Sequence, residues 1–192
     1  MKKITEQELT ILQGDVETPL RVLSVANPTD LEVLQKKCDE VEPTDPNLKL
    51  LISRMYTTVL DENQKGVGIA APQIGINKRV FLAQRLDKEG HPFEFFVNPE
   101  IIWYSKVQRL GEEGCLSIPD LYKPVMRSLV IHITYFGLDG QHYHEVIEGY
   151  TAVIMQHEFD HLNGVLFPDR IEEQTQNDYF DAAPQVTLMY KK

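Results

Sequence analysis

The segment His157-Glu158-Phe159-Asp160-His161 constrains this chain more than any other. On an α-helix, residues four apart lie one above the other, so His157 and His161 share a face. Two neutral imidazoles at that spacing can grip one divalent cation, and the glutamate beside them can move protons for a metal-bound water. Stepping about 100° per residue puts Glu158 on one flank of the histidine stripe and Asp160 on the other. Val153 and Ile154 sit one turn earlier on the histidine side, while Ala152, Met155, Phe159 and Leu162 cluster opposite. A helix that is apolar nearly all round belongs in the centre of a domain. Two histidines and two acids there are costly unless they are paired or metallated. The segment therefore demands a fold wrapped around one helix, and its chemistry points to metal-assisted hydrolysis.

The chain of 192 residues is long enough for one self-sufficient core. With 42% hydrophobic and 25% charged residues it has an ordinary globular balance. No apolar run is long enough to span a membrane, and Met1 to Thr10 has no apolar core of a secretory signal, so a cytoplasmic location is the default expectation. The formal charge of −10 argues against direct nucleic-acid binding. Only two cysteines occur, Cys38 and Cys115, so each thiol is read individually instead of as a disulfide framework.

Asp45 as N-cap and Pro46 at the first position predict a helix whose stripe runs Leu48, Leu51, Ile52, Met55, Val59, Leu60, ending at Gly66. A shorter helix is expected near Asp30 to Lys37. Strands are expected at Arg79–Gln84, Glu94–Asn98 and Ile101–Val107, with another at Val186–Tyr190. Leu129–Phe136 and Gln141–Ile147 read as a hairpin closed by Asp139-Gly140 in a two-residue type I′ loop. Residues 150–162 form the metal helix, stopped by Asn163-Gly164. Residues 1–20 read as an N-terminal arm and 169–192 as a tail on a single catalytic domain, 1–192. This order of elements favours an α+β fold over regular βαβ alternation.

Other candidates are weaker alone. A buried cysteine is more often a small hydrophobe than a ligand, and Cys38 has nothing around it to change that. Cys115 follows Gly114, which permits close backbone approach. The expected hairpin puts His142 and His144 on one face with Ile131, Ile133 and Tyr135, and His132 on the other, so these three do not converge. Gly66-Val67-Gly68-Ile69-Ala70-Ala71-Pro72-Gln73 lacks the spacing of a phosphate loop, although Gln73 offers an amide donor.

Taken together, the segments GVGIAAPQ at 66–73, EGCLS at 113–117 and QHEFDH at 156–161 make a stronger signal. In that order and at those separations, the chain resembles the peptide deformylases, which remove the N-formyl group from the initiating methionine of new bacterial proteins. The resemblance implies a peptide deformylase-like fold, with mixed or antiparallel sheets around the central metal-binding helix. It implies Cys115, His157 and His161 as metal ligands, with a water in the fourth position. Glu158 would be the general acid/base, and Gln73 with the backbone N–H of Leu116 the oxyanion donors. Fe²⁺ is the expected ion in the cell, with Zn²⁺, Ni²⁺ or Co²⁺ able to occupy the site in purified protein. Val67, Tyr150, Val153, Ile154 and His157 would line a pocket for the methionine side chain, with Glu113 near its rim. Gly68 and Gly114 would bind the peptide backbone, and Asp160 and Arg127 would form an ion pair behind the ligands. The partners implied are N-formyl-methionyl nascent peptides and, transiently, the ribosome.

The chain departs from the family pattern in three places, the first being an N-terminal arm longer than in compact members. Many members carry an arginine seven residues after the ligand cysteine, where this chain has Tyr122. Tyr122 can stack on the substrate peptide or hydrogen-bond to it, but brings no charge. Some members dock on the ribosome through a basic C-terminal helix, whereas this tail carries Glu172, Glu173, Asp178 and Asp181. Two rival readings share the HExxH signature: a zincin-like metallopeptidase, which takes its third ligand downstream of the helix, and a non-catalytic metal-binding protein of the same fold.

Overall fold

Alternation along one strand sets the layering of the molecule. In β2 (Val80–Gln84), Val80 and Leu82 enter one core while Phe81 and Ala83 enter another. The first core is closed by α3 (Leu48–Val59), through Leu48, Leu51, Met55 and Val59. The second is closed by the metal helix α4 (Gly149–Leu162), through Ala152, Ile154, Met155 and Leu162. The sheet thus lies between two helices, as period-2 alternation requires when both faces are covered. The computed structural model describes residues 1–176, Gln64 excepted. The expected strand at Val186–Tyr190 lies outside the described residues.

Among the described residues the strands form two antiparallel sheets. The five-stranded sheet has the order β1 (Gly68–Ala70), β2, β3 (Phe93–Tyr104), β6 (Val130–Phe136), β7 (His142–Glu148). The other is a two-stranded hairpin, β4 (Gln108–Cys115) and β5 (Ile118–Ser128). Three helices complete the α+β fold: α1 (Glu6–Leu12), α2 (Pro28–Leu34) and α5 (Phe167–Thr175). A third core gathers Leu34, Ile118, Val125, Leu166 and Phe167, joining α2, the β4–β5 hairpin and α5.

Several sequence expectations need correction. The α3 stripe is as read from Leu48 to Val59, but Leu48 is its first residue and Leu60 its C-cap, so the helix stops well before the expected Gly66. Asn47, not Asp45, is the N-cap, and no side chain caps it; Asp45 instead accepts from the Asn47 N–H at 2.9 Å, and Leu48 N–H donates to the Asp45 carbonyl, so Asp45 and Pro46 belong to a tight turn before the helix. The two expected strands 94–98 and 101–107 are one strand, β3, irregular in register between Val97 and Trp103. The arm is not featureless: Thr5 and Glu8 form a capping box that starts α1.

The β6–β7 hairpin was expected one residue out of register. Phe136 pairs with His142 and Thr134 with His144. The connection is Leu138-Asp139-Gly140, closed by Gly137 N–H to Gln141 carbonyl and Gly140 N–H to Gly137 carbonyl, with Gly140 left-handed at φ 73. This is a three-residue turn with glycine at the left-handed position, not a two-residue type I′ loop. One residue of slip exchanges the faces. His132, His142 and His144 therefore share the exposed face, and Ile131, Ile133 and Ile147 face α4.

Candidate active site

The metal helix starts after extended Glu148 and ends where Gly164, at φ 70, turns the chain out. Its inward face meets the end of the β4–β5 hairpin and the strand β1. Cys115 is the last residue of β4, and its Sγ lies 3.2 Å from His161 Nε2. The ligand atoms of Cys115, His157 and His161 all lie within 4.8 Å of one another. Two ligands of a tetrahedral zinc-type site stand roughly 3.5 Å apart, so one thiolate and two imidazoles at these separations fit a borderline divalent ion. His157 Nδ1 is 3.0 Å from Glu113 Oε2, which holds that nitrogen as the N–H and leaves Nε2 for an ion.

The electrostatics follow from burial. Burial opposes the Cys115 thiolate, yet His161 and His157 beside it hold the thiol well below its usual range. Burial also opposes charge on Glu113, but His157 and Arg127 hold its carboxyl at about 2. Glu158 has no such partner. Burial pushes it up to about 7, against the pull of His157 and His161. Its Oε2 is buried without a hydrogen-bond partner among the described residues. Such a carboxylate is suited to exchanging protons with a group entering the cavity.

Two glycines allow these side chains to converge. A Cβ on Gly68 would stand 2.9 Å from Glu158 Cδ, so only glycine lets β1 lie against that carboxylate. A Cβ on Gly114 would stand 2.7 Å from Tyr122 Cδ1. The Tyr122 ring thus lies over the Gly114 backbone and remains 65% exposed. Gln73 sits in a 3-10 turn, Ala71–Ile74, directly after β1. Its Oε1 accepts from the Ala70 N–H at 2.8 Å, which turns the amide NH₂ toward Ser117 Oγ at 3.3 Å and Cys115 Sγ at 3.6 Å.

These groups open on one cavity of about 250 Å³. Val67, Gly68, Gln73, Glu113, Gly114, Cys115, Leu116, Tyr122, Tyr150, Val153, Ile154, His157 and Glu158 all line it. Gly66, the first residue of the 66–73 segment, lines it too, as does Lys65, whose place in the sequence suggests only the end of a helix. His161 lies behind the cavity, reaching Cys115. Arg127 and Asp160 also stand behind it, paired at 2.6 Å, and Arg127 further grips Glu113 at 2.7 and 3.0 Å. The reading missed Arg170, whose guanidinium holds Asp160 at 3.0 and 2.5 Å. Its signal was the helical spacing of Phe167, Arg170, Ile171 and Gln174, in a stretch read only as an acidic tail.

Residues 19–177 match the family model described as polypeptide deformylase. The chain belongs to the polypeptide deformylase family. It is 43% identical over 140 residues to peptide deformylase 1 of Clostridium perfringens, across 73% of this chain and 92% of that protein. The crystal structure of peptide deformylase from Thermotoga maritima is similar with a TM-score of 0.71 at 39% identity, over 80% of this chain and 97% of that one. The Met-Ala-Ser-bound class I type b peptide deformylase from Acinetobacter baumannii gives a TM-score of 0.71 at 36% identity, over 80% of this chain and 99% of that one. The α+β fold built around the metal helix is that of the family, and the chain is a hydrolase of it. Membership does not favour the metallopeptidase or the non-catalytic reading. Among the described residues, no helix is long and apolar enough to cross a membrane.

Proposed function

We propose that the chain hydrolyses the formyl group from the N-terminal methionine of newly made proteins, with Glu158 moving the protons. One observation carries this reading. The Glu158 carboxylate, the Gln73 amide and the Cys115–His157–His161 group converge on one cavity whose other wall is apolar. The three ligands would hold a divalent ion, Fe²⁺ in the cell by family resemblance. When bound, it supplies the Lewis acidity that lets water lose a proton near neutral pH. Glu158 accepts that proton as water attacks the formyl carbon, and returns it to the leaving amine. Gln73 NH₂ and the Leu116 N–H donate to the carbonyl oxygen as it gains charge, where one good donor is worth about 2.7–4 kcal/mol. Val67, Tyr150, Val153 and Ile154 receive the methionine side chain. Gly68 and Gly114 offer close backbone contact to the peptide. Tyr122 offers its ring to the residues beyond methionine.

Formate release from formyl-Met-Ala-Ser, set against cleavage of an unformylated internal peptide, tests the proposal. Release of formate with the internal bond intact is expected. Internal cleavage without formate would overturn it. Glu158→Ala should retain the metal while losing roughly 10²–10⁴-fold in turnover, measured by metal content and formate release on one preparation.

A further inference from the structure

The buried ions behind the metal ligands form a chain that continues onto α5. His157 Nδ1 meets Glu113, Arg127 holds Glu113 and Asp160, and Arg170 holds Asp160 through two nitrogens. Glu113, Arg127 and Asp160 have side chains only 5–7% exposed. Within this set, Glu113 and Asp160 carry two negative charges and Arg127 one positive charge. Arg170, which also pairs with the exposed Glu173 at 2.7 Å, supplies the second positive charge, so the buried groups are balanced only with Arg170 in place. A buried carboxylate left without compensation is strongly destabilising.

Arg170 does not act from an isolated position. Phe167, Arg170, Ile171 and Gln174 share one face of α5. The Phe167 ring lies nearly parallel to that of His157, with centroids 6.3 Å apart. Gln174 Oε1 accepts from the Met126 N–H, beside Arg127. Ile171 packs on the core of Leu34, Val125 and Leu166. One face of this helix therefore touches a histidine of the ligand group, the carboxylate behind the ligands, and the strand that carries Arg127.

We propose that Arg170 is a positioning residue for the metal centre: by holding Asp160 it leaves Arg127 free to grip Glu113, which fixes the His157 ring. Without Arg170, Arg127 would turn toward Asp160 to balance it. Its two-nitrogen grip on Glu113 would loosen, and with it the hydrogen bond that orients His157. Outer contacts of this kind change metal affinity by about 10–100-fold when removed. The proposal rests on reading Cys115, His157 and His161 as the metal ligands.

The test is titration with Co²⁺ alone of the full-length wild type, Arg170→Gln, Arg170→Lys and Cys115→Ala, read by visible absorption. Formate-release kinetics follow on the same proteins. Arg170→Gln should weaken Co²⁺ binding by roughly tenfold or more and alter the cobalt spectrum. Its kcat should fall with KM for formyl-Met-Ala-Ser unchanged. Arg170→Lys should recover part of the affinity, because it keeps the charge but lacks the planar fork. If both variants bind Co²⁺ as the wild type does and lose only thermal stability, Arg170 is a structural clamp and the proposal is overturned. If Arg170→Gln does not fold, Arg170→Lys decides alone: weakened binding supports the proposal and wild-type binding overturns it. Undiminished Co²⁺ binding by Cys115→Ala would overturn the ligand reading itself, and this proposal with it. Weakened binding there with unaffected Arg170 variants would overturn only the role of Arg170.

Discussion

The candidate catalytic residues were legible in part because their relation is local. His157, Glu158 and His161 are fixed to one another by helix geometry alone, whereas Gln73 and Cys115 gain a role only through the family resemblance. Arg170 was not legible, because its meaning depends on a carboxylate ten residues away that the family resemblance pairs only with Arg127. Gly68 shows what a single position contributes. It lines the cavity, but its lack of a side chain also lets the Glu158 carboxylate occupy its place. In Gly68→Ala, the new methyl group would push the carboxylate away from the reacting centre. Overpacking there should cost about 1–3 kcal/mol of stability. Displacing the carboxylate by about 1 Å should cost roughly 10²-fold in kcat. Urea unfolding and steady-state formate release on the same protein would separate the two effects. An unchanged kcat would show that Glu158 works from another position.

Elements were read well where one period ran undisturbed, as in α3 and α4, and poorly where the loop decided. Asp139-Gly140 looks like a complete two-residue turn. Leu138-Asp139-Gly140 instead makes a three-residue connection, and one residue of slip moved His142 and His144 to the face that His132 already occupied. The β4–β5 hairpin escaped notice because Gly111, Glu112, Glu113 and Gly114 break the alternation that marks a strand, although this hairpin delivers Cys115. The stop of the metal helix, in contrast, was correct at Asn163-Gly164, and its physical basis is sharper than a helix-breaking preference. Gly164 is left-handed, and a Cβ there would stand 2.6 Å from the Gln35 backbone carbon after α2. Gly164→Ala should therefore destabilise by at least ~1–2 kcal/mol from the left-handed conformation alone, with the collision added. A chemical-denaturation midpoint measures this. Wild-type stability in that variant would mean that α2 moves freely away from the helix end.

At the scale of the whole molecule, the sheet is tied to the metal helix by a charge cluster whose residues do not line the active-site cavity. Arg85, with its side chain only 2% exposed, pairs with Asp87 at 2.7 Å, Glu94 on β3 at 2.7 Å and Glu145 on β7 at 2.9 Å. The Asp87 N–H donates to Thr151 Oγ1 in the first turn of α4. Burial pushes the carboxyls of Asp87 and Glu145 up, but Arg85, joined at Glu145 by the Tyr135 hydroxyl, holds both below their ordinary values. Groups whose folded pKa is depressed stabilise the native state above their unfolded pKa of about 4, and this contribution disappears as pH falls through the folded values. The wild type should therefore lose stability on acidification below about pH 5, followed by the urea midpoint at successive pH values. Arg85→Met removes the partner common to all three carboxylates and leaves Lys88 to reach only Glu94 at 2.8 Å and Glu145 at 3.9 Å. Because the carboxylates are partly exposed, that should cost about 1–3 kcal/mol at pH 7. The sign of the pH dependence should also change. In the variant Asp87 and Glu145 lose the cation that offsets their burial and bind protons more readily folded than unfolded, so its deficit should shrink as pH falls toward 4. Parallel stability curves for the two proteins between pH 7 and pH 4 would show that Arg85 acts through packing and not through charge.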